Sequence, residues 1–130
     1  MPKLKKFGTY IFVTYMTVML LLHIMPFGSE VAALNKIKVI DIRLDYLLHA
    51  IVFIPWAIIV WWAYGVSFRQ NPGKTIFWAA CGAIFAAGVE YIQLYLNYRT
   101  FNINDVLGNV AGVVLGGVVF FWKPPAEPLK

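Results

Sequence analysis

The chain has 130 residues, enough for one domain, with 61% hydrophobic and 13% charged residues. That much apolar surface cannot be folded inside so small a body, so a soluble globular domain is excluded and lipid must take the remainder. The net charge of +5 sits in short segments between apolar runs, where Lys and Arg set membrane topology; no nucleic-acid partner is expected.

Four apolar stretches follow in chain order, at residues 7–27, 46–64, 76–96 and 106–122. Each is close to the ~17–25 residues that cross a bilayer as a helix. Helices are required because backbone groups in hydrocarbon must bond within their own segment. The predicted fold class is an all-α integral membrane protein, a four-transmembrane-helix bundle forming a single membrane domain over residues 1–130. Lys3, Lys5 and Lys6 before the first run resemble a signal peptide. The run is longer than a usual signal core, however, and the only small-residue candidate for cleavage, Val31-Ala32-Ala33, lies past Glu30. A span is therefore expected. Between the first two spans, Val31, Leu34, Ile37 and Ile40 recur at helical spacing around Lys36 and Lys38, which predicts a short helix lying on the membrane at 28–44. Pro55 should kink the second span or be tolerated there by neighbouring helices. Cys81, the single cysteine, lies in an apolar run and reads as a small packing residue. Trp56, Trp61, Trp62, Tyr64, Trp78 and Trp122 are expected as interface anchors and lipid-facing bulk. Pro124, Pro125 and Pro128 should stop the last helix and leave a short disordered tail.

Loop charges give an orientation. Lys3, Lys5, Lys6, Arg69, Lys74, Lys123 and Lys130 share one side, seven cations against the four of Lys36, Lys38, Arg43 and Arg99. The positive-inside rule then puts both termini in the cytoplasm.

The rare polar residues all fall at the opposite, outer end. Asp45 and His49 open the second span one turn apart; Glu90, Gln93 and Asn97 form a stripe on the third that continues through Ala86, Ala83 and Ala79. Arg99 lies in the short outer loop, and Asp105 and Asn109 open the fourth span on a face shared with Gly112 and Gly116. Small residues beneath polar ones let helices approach closely, so these faces should meet each other rather than lipid. Taken singly, Asp45 and Asp105 read most simply as helix N-caps, His49 as a helix-contact residue and Asn109 as interhelical glue. Glu90 differs. It lies about 9 Å below its helix end, where a carboxylate is a functional-site hypothesis by default. Arg99 is the nearest candidate partner, for Glu90 or for Asp105. With all three acids ionised the cluster would still be negative, which calls for a protonated carboxyl, a charged His49 or a bound cation. Asp45, His49, Glu90 and Asp105 are suitable metal-ligand types, but no tight ligand motif supports a metal, and no cofactor is expected. The first helix looks least involved in chemistry.

The runs Asp45-Tyr-Leu-Leu-His49 and Glu90-x-x-Gln93-x5-Arg99-x5-Asp105-x3-Asn109-x-x-Gly112-x3-Gly116 resemble the VanZ-like family, whose namesake is a teicoplanin-resistance protein of Gram-positive bacteria. The resemblance covers the last three helices, from about Arg43 to Gly117. One position departs: the residue after Asp45, often Lys in the family, is Tyr46 here, so no role for that Lys carries over. The resemblance implies a small multi-pass protein of the bacterial inner (cytoplasmic) membrane, associated with cell-envelope processes or glycopeptide resistance. It implies no reaction.

The expected partners are therefore the lipid bilayer and an envelope precursor or other lipid-linked ligand. The leading expectation is an outward polar pocket of Asp45, His49, Glu90, Gln93, Arg99, Asp105 and Asn109 that binds such a ligand through an amine or cation. Alternatives are a membrane enzyme using Glu90 or His49 as acid or base, a small proton-coupled transporter, and a structural partner whose polar residues only lock the bundle. No nucleophile–base–orienter series is legible for the enzyme. Glu90 lies near one surface and not at the midplane where transport sites usually lie.

Overall fold

In a computed structural model of the chain, residues 2–26, 36–39, 42–67 and 69–122 are described. They form α1 (Pro2–Ile24), a two-residue pair of strands β1 (Lys38–Val39) and β2 (Ile42–Arg43), α2 (Leu44–Phe53), α3 (Pro55–Tyr64), α4 (Pro72–Ile92), a 3-10 turn (Gln93–Tyr95) and α5 (Ile103–Trp122). Four spans are long and apolar enough to cross a membrane: Phe7–Ile24, Leu44–Tyr64, Pro72–Tyr95 and Ile103–Phe120.

The second span is α2 and α3 joined at Ile54. The backbone of Ile54 stays helical and its N–H still reaches the Ala50 carbonyl at 3.2 Å, but Pro55 has no N–H for the Ile51 carbonyl, and the regular helix restarts there. The third and fourth spans begin earlier than the apolar runs because asparagines cap them. The Asn71 side chain accepts from the Lys74 N–H at 3.0 Å, with Pro72 in the first turn. The Asn102 side chain accepts from the Asn104 N–H at 3.0 Å.

Two close approaches set the arrangement. On one side α2 and α5 run parallel, with Gly108, Gly112 and Gly116 of α5 against Tyr46, Ala50 and Ile54 of α2. A Cβ on Gly112 or Gly116 would overlap the Ala50 or Ile54 carbonyl oxygen, so no side chain fits. Backbone meets backbone here, as in small-xxx-small membrane contacts. On the other side α1 runs antiparallel to the second span. A Cβ on Gly8 would lie 2.7 Å from the Ala63 Cα, the Tyr15 hydroxyl donates to the Val52 carbonyl at 2.8 Å, and His23 reaches His49. The core between these contacts holds Met19, Phe53, Trp56, Val60, Val66, Ala86, Val89 and Val113.

Two expectations are corrected. Trp56 is no interface anchor: it is 3% exposed, and its indole N–H donates to the Trp78 carbonyl at 3.0 Å. Gly82 leaves the room for it, since a Cβ there would stand 2.6 Å from the indole nitrogen. The membrane-surface helix at 28–44 is not what its described part shows. Lys36 lies in a turn, Lys38 pairs with Arg43 and Val39 with Ile42, and the Leu44 N–H closes onto the Ile37 carbonyl at 2.9 Å. β-branched Val39 and Ile42 suit that extended pairing. Val31, Leu34 and Ile40, which also carried the expectation, lie outside the described residues, as do Glu30, Asp41, the Val31-Ala32-Ala33 segment and the tail with Lys123, Pro124, Pro125, Pro128 and Lys130.

The glycine contact is directly testable. Gly112→Val should destabilise the protein by about 1–3 kcal/mol or more through overpacking. Gly88→Ala, where a Cβ meets nothing within 4 Å, should be neutral or slightly stabilising. Unfolding in detergent micelles reads both.

Candidate functional site

At the end of the bundle opposite Gly8 and Ala63, four helices bring polar side chains to one point. Glu90, in the last turn of α4, is at its centre and 0% exposed. Asn109 of α5, also 0% exposed, spans the gap: its amide nitrogen donates to Glu90 Oε1 at 3.1 Å and to the Ala86 carbonyl at 3.4 Å. Both of those groups accept, so Asn109 Oδ1 must face the other way, toward His49 Nδ1 at 2.9 Å. His49 therefore carries a proton on Nδ1. The same nitrogen is 3.4 Å from Glu90 Oε1, and His49 Nε2 is 3.9 Å from Asp105 Oδ2.

His23, one residue before the end of α1, completes the centre. Its Nε2 is 3.3 Å from Glu90 Oε1 but without hydrogen-bond geometry. Its Nδ1 lies 2.7 Å from the Met19 carbonyl, which can only accept, so the proton sits on Nδ1. His23 is 4% exposed, and its ring packs against Phe53 and His49. Nothing in α1 marked it except that it is an ionisable residue inside a span at the polar end, the signal that singled out Glu90. The first helix is thus not the least involved in the polar cluster; it supplies an imidazole.

Arg99 is also placed differently. It does not pair with Glu90 or Asp105. Its guanidinium donates to the Met25 carbonyl at 2.8 Å and the Leu22 carbonyl at 3.4 Å, while the Tyr98 hydroxyl donates to the Ile24 carbonyl at 2.7 Å. The loop between α4 and α5 thereby satisfies the bare carbonyls that end α1, where a cation also suits the helix dipole. The carboxylate with an arginine is Asp45, 9% exposed, held in a fork by Arg43 Nε at 3.1 Å and Nη2 at 2.5 Å. Hydrogen bonding to Asp45 keeps the Arg43 pKa above its ordinary value. The Arg43 guanidinium also lies 4.6 Å from the centroid of the Tyr46 ring.

Neither Asp45 nor Asp105 is an N-cap. Asp45 is in the first turn of α2 after Arg43, and Asp105 is in the first turn of α5 after Asn102. The Asn102 amide also donates to Asp105 Oδ1 at 3.3 Å, tying that carboxylate to the start of α5. Gln93, 2% exposed, opens the 3-10 turn, and its Nε2 has no protein partner. Asn97 is exposed because the helical stripe ends with that turn.

The structure thus brings Glu90, Asn109, His49 and Asp105 together and adds His23. Asp45 and Arg43 form a separate pair at the rim, and Arg99 braces α1. Donor atoms of His23, His49 and Glu90 all lie within 4.8 Å of one another, a set able to hold a metal ion that differs from the four residues considered in sequence.

Residues 5–123 match the family described as VanZ/LLP1. The chain belongs to the VanZ/LLP1 family. The match takes in α1, which in sequence resembled the family only as an apolar span. A stretch of 71 residues, 55% of the chain, is 32% identical to an uncharacterized protein of the fission yeast Schizosaccharomyces pombe. The stretch spans 43% of that protein, less than half its length. No solved structure matches the chain. Family membership and four apolar spans make this VanZ/LLP1 member a multi-pass membrane protein.

The assignment of Asn109, not Arg99, as the group holding Glu90 has a measurable consequence. In double-mutant cycles for folding, Asn109→Ala with Glu90→Gln should couple by about 1 kcal/mol or more, and Arg99→Gln with Glu90→Gln by less than about 0.5 kcal/mol.

Proposed function

We propose that this VanZ/LLP1 protein acts in the bacterial cell envelope, with its polar end facing outward and receiving the cationic, amine-bearing head of an envelope precursor or other lipid-linked ligand. The observation that carries this reading is the charge balance of the site. Among the described residues, Arg43 is committed to Asp45 and Arg99 to α1 carbonyls, so the ionisable basic groups beside Glu90 and Asp105 are histidines. Two carboxyl groups flanking one imidazole in a low-dielectric surround favour an incoming cation. Asp105 and His49 remain partly accessible, at 14% and 19% of their side chains, whereas Glu90 is fully buried. Holding such a head would sequester a precursor or change its accessibility, a physical route to glycopeptide (teicoplanin) resistance.

A second reading is favoured by one feature. Asp105, His49, Glu90 and His23 follow one another at 3.9, 3.4 and 3.3 Å, a row of titratable groups gathered at one point. An enzyme using Glu90 or His49 as acid or base would draw on such titratable neighbours.

In nanodiscs, a lipid-anchored peptide with a free primary amine should raise the Tm, and its N-acetylated form should not. Asp105→Asn should abolish the shift without loss of folded protein. Equal stabilisation by the acetylated peptide overturns the reading. Orientation is tested separately in a Cys81→Ser background. Thr100→Cys should react with an impermeant maleimide on intact cells, and Gln70→Cys only after permeabilisation; the opposite pattern rules out an outward site.

A further inference from the structure

The geometry points to a divalent transition-metal site, of the zinc class, formed by His23, His49 and Glu90. It rests on the reading of this end as the working end, and it names the cation that occupies its deepest part.

The first argument is the direction of the lone pairs. The Met19 carbonyl fixes the His23 proton on Nδ1, so Nε2 presents a lone pair. That lone pair is buried, has no hydrogen-bond partner, and is 3.3 Å from a carboxylate oxygen. Two electron-rich atoms held face to face call for a proton or a metal ion between them, and the contact lacks the hydrogen-bond geometry that a proton would use. The other Glu90 oxygen, Oε2, is equally buried and also lacks a partner. Side chains of this burial are ordinarily satisfied, and an unsatisfied buried polar atom is costly.

The second argument is size. Tetrahedral zinc with bonds of about 2.0–2.1 Å places neighbouring donor atoms about 3.4 Å apart. The distances from Glu90 Oε1 to His23 Nε2 and His49 Nδ1 are 3.3 and 3.4 Å, and all three donors lie within 4.8 Å of one another. Two imidazoles and one carboxylate suit zinc and its neighbours; calcium and magnesium favour oxygen alone.

The third argument is the surrounding shell. Metal-bound histidines usually donate their other N–H to a carbonyl or carboxylate. His23 does so to Met19. His49 would bind through Nδ1, so the proton now directed at Asn109 moves to Nε2, which faces Asp105 Oδ2 at 3.9 Å. The Asn109 amide holds Glu90 Oε1 in place. Three protein ligands leave a fourth position open, as in catalytic zinc sites, here for an oxygen of a bound head group.

The test uses the full chain, without a histidine tag, in nanodiscs after chelator treatment. One equivalent of Zn2+ should bind, and Co2+ should give the visible absorption of a tetrahedral site. His23→Gln and Glu90→Gln should each weaken binding at least 100-fold, Asp105→Asn about 10–100-fold, and Gly88→Ala not at all. X-ray absorption of the wild-type zinc complex should show two imidazoles and oxygen, a readout that stands even where a variant fails to fold. Absence of stoichiometric binding, fewer than two imidazoles, or a sulfur ligand from Cys81 overturns the site. Amine-dependent stabilisation that persists in a protein unable to bind metal rejects the metal alone. Metal binding without any amine-dependent shift rejects the head-group reading alone.

Discussion

A carboxyl group carried into a bilayer must find its partners in protein, and Glu90 finds them on three other helices. Asn109 donates to it, His49 and His23 lie against the same oxygen, and no solvent reaches it. An unpartnered charge in that place would be costly. The position of Glu90 near the end of α4 therefore dictates where α1, α2 and α5 must converge. The rest of the bundle makes that convergence possible.

The glycines of α5 serve it most directly. Gly108, Gly112 and Gly116 bring its backbone against the carbonyls of α2, and Asn109 and His49 are placed within 2.9 Å by that closeness. The interruption at Pro55 divides the labour in the second span. α2 presents His49 and packs on α5, while α3 turns to meet α1 through Ala63 and Gly8. Arg99 and Tyr98 then secure the end of α1 that carries His23. Polar chemistry at one end thus depends on backbone contacts distributed along the whole span.

Much of this was legible in sequence because charged and amide residues are conspicuous in apolar runs. Asp45, His49, Glu90, Gln93, Asp105 and Asn109 were assigned to one end, and the structure places them there. The faces on which Asn109 and Gly112 lie follow from helical spacing alone. Pairing was less legible, because long side chains choose among neighbours that spacing does not reveal. Arg99 is nearest in sequence to both Glu90 and Asp105, yet the bare carbonyls ending α1 take it. Arg43, two residues from Asp45, takes a carboxylate instead. Helix starts shifted by a few residues, enough to move Asp45 and Asp105 from capping positions into first turns. His23 stood in a span, Phe7–Ile24, otherwise without ionisable acids or bases of the cluster's kind, so its relation to residues far along the chain became visible only once α1 was seen antiparallel to the second span.

The order of these residues along the chain has a consequence for assembly. His23 and His49 belong to the first two spans, Glu90 to the third and Asn109 to the fourth. Synthesis proceeds from the N-terminus, so both imidazoles are made before the carboxyl group that needs them. An imidazole can enter a membrane uncharged; a carboxylate entering first would have no companion. The amide that fastens the cluster comes last, and its arrival closes a site whose components were inserted in the sequence that keeps an isolated charge out of the lipid.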